Sequence, residues 1–152
     1  MSTTRSTRIV HAPRQAVYRA LIDPDAVRQW MVPDGMTSRV HAFDAIDGGE
    51  FRISLAYDAP TTAGKTDAQT DTFRGRFTRL VPDTEVVQVV EFEADQPSMR
   101  GEMTITYRLA DVDGGTEITG THEGLPPGVR PEDNELGWSM SMVKLAALVE
   151  HD

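Results

Sequence analysis

Apolar side chains recur at roughly every second position from residue 37 to residue 123, and from residue 133 onward the spacing becomes that of a helix. That order constrains the fold strongly, because strands with one apolar face need a cover and the long helix after them can supply it. Phe51, Ile53, Leu55 and Tyr57 share one face of a strand, while Arg52, Ser54 and Ala56 share the other. Met103, Ile105, Tyr107 and Leu109 repeat the pattern against Thr104, Thr106 and Arg108. Asp113-Gly114-Gly115 supplies a tight turn into a partner strand over 116–123, and Pro82-Asp83-Thr84 joins strands over 72–81 and 85–93. One face apolar and one polar is the signature of an antiparallel sheet wet on one side.

Ahead of this run, residues 3–11 alternate and end on the β-branched pair Ile9-Val10, which predicts a first strand. Pro13 suits a helix start, and Val17, Tyr18, Leu21 and Ile22 recur at helical spacing until Asp23-Pro24. A second short helix over 24–31 places Val27, Trp30 and Met31 together before Pro33-Asp34-Gly35 turns the chain. The count reaches about seven strands, with two short helices after the first. Residues 58–71 have no period and read as a long hairpin tip, either a lid or solvated disorder. With no linker and no repeat, residues 1–152 read as one domain.

The final helix, over 133–150, carries two apolar stripes: Trp138, Met142, Leu145 and Val149 on one, Leu136, Met140, Val143 and Ala147 nearly opposite. The first can cover the sheet. The second needs the N-terminal helices, an apolar ligand or a second subunit, and a homodimer would form there.

A chain of 152 residues buries roughly 70% of the surface its unfolded form exposes, so a core needs no metal or disulfide to stabilise it. The absence of cysteine excludes disulfides, thiolate nucleophiles and cysteine-bearing zinc sites, and fits a reducing compartment. A net charge of -9 repels phosphate backbones and anionic lipid heads, so nucleic acid and membrane are not expected partners. The opening residues lack the apolar stretch of a signal peptide, which makes the cytoplasm the expected location.

The run Ile9-Val10-His11-Ala12-Pro13 leads to Val17-Tyr18-Arg19-Ala20-Leu21, Asp23-Pro24 and Trp30. Gly48-Gly49-Glu50-Phe51-Arg52, Gly75-Arg76-Phe77, Asp113-Gly114-Gly115-Thr116 and Gly137-Trp138 follow in order. Together they resemble the START-like (SRPBCC) superfamily, and within it the branch homologous to the C-terminal domain of the Hsp90 ATPase activator. The resemblance implies an α+β helix-grip (START/Bet v 1-like) fold, a curved antiparallel sheet wrapped around the C-terminal helix with a cavity between them. It leaves function open, since the superfamily includes lipid and hormone binders, polyketide cyclases and dehydratases, and cochaperone domains.

Alternation assigns Phe51, Ile53, Leu55, Tyr57, Phe73, Phe77, Met103, Ile105 and Tyr107 to the cavity wall, with Trp138, Met142 and Leu145 from the helix. Rings and methionines suit an apolar or amphipathic ligand, although the same side chains also make an ordinary core. Ile118, Gly120 and His122 share a face, so an inward Ile118 brings His122 inward. There a neutral imidazole either orients a ligand, acts as acid/base with Tyr57 or Tyr107, or simply sits satisfied in the core. No nucleophile motif occurs, and His11, His41, His122 and His151 lack metal-ligand spacing, so neither metal nor cofactor is expected. Arg74, Arg76 and Arg79 read as cations pairing across strands, and Glu91 and Glu93 as an exposed pair, with Phe92 facing inward. Three functions follow: a non-catalytic binder of a small apolar ligand, a cyclase/dehydratase-like enzyme, or a protein-interaction domain of cochaperone type.

Overall fold

The computed structural model describes residues 2–57, 70–94 and 97–150. A first strand, β1 (Ser2–Val10), leads into helices α1 (Arg14–Ile22) and α2 (Pro24–Trp30). Six strands follow: β2 (Met36–Phe43), β3 (Glu50–Tyr57), β4 (Thr70–Val81), β5 (Glu85–Phe92), β6 (Met103–Val112) and β7 (Gly115–Leu125). Helix α3 (Pro131–Glu150) ends the chain. The seven strands form one antiparallel sheet in the order β1-β7-β6-β5-β4-β3-β2, which is the expected meander with the first strand returned beside the last. Most of the predicted hairpin tip, 58–69, lies outside the described residues, and its last two, Thr70 and Asp71, open β4.

Local chemistry fixes the element ends. The Asp23 side chain accepts from the Asp25 amide and so caps α2, whose first residue is Pro24. Helix α3 begins two residues earlier than its apolar period, because Pro131 suits a first helical position and Glu132 and Asp133 favour the positive helix end. Asp83 adopts φ 61° in the β4–β5 turn, a left-handed conformation that Asp tolerates better than most residues.

Strand β4 slips register between Phe77 and Arg79, close to Gly75, and β2 between Val40 and Ala42, irregularities of the kind that bend a sheet. A Cβ on Gly75 would collide with the Val89 carbonyl oxygen and lie 2.7 Å from both Phe51 Cζ and Val90 Cγ1, so only glycine lets the strand pass here. Helix α3 lies across the resulting hollow. Met142, Leu145, Ala146 and Val149 are buried against Val10, Ile118 and Leu125 of the sheet together with Val17 and Leu21 of α1. Trp30 is fully buried and donates its indole N–H to the Ala20 carbonyl at 2.8 Å, locking α2 to α1.

Side chains of α3 also satisfy the open edge of β1. Glu135 accepts from the Arg5 amide at 3.4 Å, and Glu150 from the His11 amide just past the strand at 2.8 Å. An edge strand otherwise offers free amides to a neighbouring sheet, and here carboxylates occupy two of them. Lys144 donates to the Val32 carbonyl at 2.7 Å and pairs with Asp34 at 3.1 Å, tying the middle of α3 to the linker after α2.

On the outer face Arg74 pairs with Glu91 and Arg79 with Glu85 of the neighbouring strand, the cross-strand pairing expected of these arginines, while Arg76 pairs with Glu102, which lies just ahead of β6 and in no strand. Arg52 forks onto both oxygens of Glu93, at 2.8 and 2.9 Å, and this hydrogen bonding holds the Glu93 carboxyl below its usual range. No described helix is long and apolar enough to cross a membrane.

Candidate functional site

Half of the hollow stays open. A cavity of about 530 Å³ lies under the N-terminal half of α3, within the size range of small-molecule sites. Its floor comes from one end of five strands: Leu55 and Tyr57 of β3, Asp71 and Phe73 of β4, Val90 and Phe92 of β5, Met103 and Ile105 of β6, and His122 of β7. Its roof is Asn134, Gly137, Trp138 and Ser141, and its rim includes Met31, Met36, Met99 and Arg130.

Of the residues that alternation placed on the wall, Leu55, Tyr57, Phe73, Met103, Ile105, His122 and Trp138 stand there. Phe51, Ile53, Phe77, Tyr107, Met142 and Leu145 do not; each is at most 2% exposed and fills the other end of the hollow. The reason is depth: α1 and the C-terminal half of α3 press on that end, and Phe43, Phe51 and Phe77 stack with centroids 5.2 to 6.1 Å apart. The second stripe of α3 divides. Leu136 and Met140 reach the cavity, while Val143 and Ala147 face outward.

Five of the seven methionines line the cavity: Met31, Met36, Met99, Met103 and Met140. Alternation points to Met103 alone, because the others lie at a helix end, a strand start, a short 3-10 turn and the helix stripe opposite the core. A thioether on three rotatable bonds adapts to irregular apolar shapes, so this wall is deformable where the core is rigid.

The polar end is built around His122. Its ring is 3% exposed and meets Trp138 edge to face with centroids 4.4 Å apart. Asn134 donates from Nδ2 to Thr4 Oγ1 at 2.8 Å and to His122 Nδ1 at 3.0 Å. Burial pushes the imidazole pKa down to about 3, so the ring is neutral near neutral pH. His122 bonds neither tyrosine. The Tyr57 hydroxyl donates to Asp71 Oδ2 at 3.5 Å, and the buried Tyr107 hydroxyl has no hydrogen-bond partner among the described residues. Among those residues there is also no cluster of three or more histidine or acidic side chains able to hold a metal ion.

The sequence matches the family described as Activator of Hsp90 ATPase homolog 1-like protein over residues 11–150. The chain belongs to this family. A solved structure from Chromobacterium violaceum is 35% identical with a TM-score of 0.89, over 99% of this chain and 98% of that one. An AHSA1-like protein from Aeromonas hydrophila is 18% identical with a TM-score of 0.73, covering 99% and 93%. DynU16, a protein in the dynemicin biosynthetic locus, is 21% identical with a TM-score of 0.70; the match covers 99% of this chain but 48% of DynU16. The last two likenesses show the helix-grip fold alone. No curated protein matches the chain.

Proposed function

We propose that the protein binds a small apolar or amphipathic molecule in the cavity beneath the N-terminal half of α3, without chemistry on it. The observation that carries this reading is the division of the hollow: one end is filled to core density while the other stays open over about 530 Å³ behind a methionine-rich wall. A domain that needed the hollow only for stability would gain by filling it, since apolar surface left uncovered forgoes roughly 25 cal/mol per Å². An acid/base reaction would call for a proton donor and acceptor in contact, and His122 is engaged by Asn134 instead of a tyrosine.

Native mass spectrometry of the purified protein, with a thermal-shift screen of sterols, aromatic polyketides, fatty acids and fatty esters, tests the reading. The expected result is a retained mass or a raised melting temperature with at least one class. Silence in both measurements would leave only surface recognition.

A further inference from the structure

We infer that this cavity selects uncharged amphiphiles carrying a hydrogen-bond acceptor, such as a ketone or ester carbonyl, and rejects carboxylates of the same chain length. The inference rests on the cavity reading above and deepens it, by assigning a direction and a charge to the single histidine on the wall.

The direction comes from Asn134. Its amide nitrogen only donates, and its two N–H groups go to Thr4 Oγ1 and His122 Nδ1. Nδ1 must therefore carry a lone pair, which leaves the proton of the neutral ring on Nε2. Nε2 has no hydrogen bond to the protein among the described residues, and His122 lines the cavity. Contact with Trp138 and the bond to Asn134 fix the ring from two sides, so the wall offers one oriented N–H donor. A carbonyl completes it. A saturated tail satisfies nothing there.

The charge preference comes from what surrounds that donor. Among the described residues that line the cavity the carboxyl groups are Asp34, which pairs with Lys144, Asp71, which accepts from Tyr57, and Asp133, and the cation is Arg130. Arg130 lies outward, with its side chain 74% exposed and Glu132 at 3.7 Å, and Lys144, bonded to the Val32 carbonyl and Asp34, is not among the lining residues. The positive end of α3 also faces the mouth, but Glu132 and Asp133 occupy its first turn. The imidazole is held neutral by burial, so it supplies no counter-charge to an anion bound at Nε2. A carboxylate at that depth would lose its water without gaining a cation from the described residues, which disfavours it strongly.

The test is a titration of the full chain near neutral pH with probes sharing one tail: laurate, methyl laurate, methyl undecyl ketone and dodecylamine. The ester and ketone should bind about tenfold or more tighter than laurate, and the amine should also exceed laurate, because the lining carboxyl groups favour a cation over an anion. His122→Phe keeps a ring but removes the N–H, and should weaken the ester and the ketone about fivefold or more while laurate remains the poorer ligand. Asn134→Asp, which places an acceptor at Nδ1 and draws the proton there, should likewise weaken the ester and the ketone. Nitrogen NMR of the His122 ring checks the tautomer without any ligand, and a protonated Nδ1 would overturn the inference. So would laurate binding as tightly as the ester, an outcome that leaves the cavity reading standing. Failure of all four probes to bind removes the cavity reading and this inference together.

Discussion

His122 couples the site to stability through its own burial. Its folded-state pKa of about 3 lies below the ordinary value of 6.5, so between those values the unfolded chain binds a proton that the folded chain does not. Stability is therefore fully present above about pH 6.5 and falls as the pH drops toward 3, by about 1.4 kcal/mol for each pH unit well inside that window. Glu93, held below its ordinary range by Arg52, adds a loss of the same sign, but only from the ordinary glutamate value of 4.5 downward. The two are separable by window and by mutation. Urea unfolding at several pH values should show the slope between pH 6.5 and 5 in the native protein and a flat line there in His122→Gln. A slope that survives the substitution would mean that another group with a depressed pKa carries it.

The curl of the sheet is an element-scale property that depends on one missing side chain. At Gly75 an added Cβ would strike backbone as well as two core side chains, and backbone cannot swing aside as a side-chain tip can. Gly75→Ala should accordingly destabilise by about 2 kcal/mol or more through overpacking, outweighing the entropy that alanine would normally save. Denaturant midpoints of the two proteins check this, and an unchanged midpoint would show that the curl does not need the close approach. Gly120 makes a useful contrast: its nearest obstacle is Met142 Cε at 2.9 Å, the mobile end of a flexible side chain. Such details also mark how far the sequence could be read. Alternation identified the strands and the inward face of β3 to β7, and the shared face of Ile118 and His122 brought that histidine inside, where it is buried. It could not say how far along each strand the covering helix presses, because Phe51 and Leu55 have the same parity yet one is core and the other cavity wall. Nor could it reveal Asn134, whose role depends on Thr4 and His122 arriving from opposite ends of the sequence.

At the scale of the whole molecule, α3 joins a rigid half to an open one. Its C-terminal turns are anchored by Leu145 and Val149, while the turns around Trp138 roof empty space, so filling the cavity should stabilise the whole domain through a single helix. A ligand that binds only the folded state adds about 2.7 kcal/mol at a concentration of 100 times its Kd. The two tryptophans let that linkage be watched at the site itself. Trp30 is sealed in the core with its N–H on the Ala20 carbonyl, whereas Trp138 is part of the cavity wall and touches His122. Occupancy must change the surroundings of Trp138 far more than those of Trp30, so saturating methyl laurate should shift the fluorescence of the native protein. Trp138→Phe, retaining Trp30 as its sole emitter, should lose most of that shift. The same variant should still gain melting temperature with ligand, since phenylalanine keeps an apolar wall. A variant that retained the full fluorescence response would show that Trp30, whose ring lies 6.3 Å from that of Trp138, carries the signal, and would overturn the assignment of the response to the roof residue.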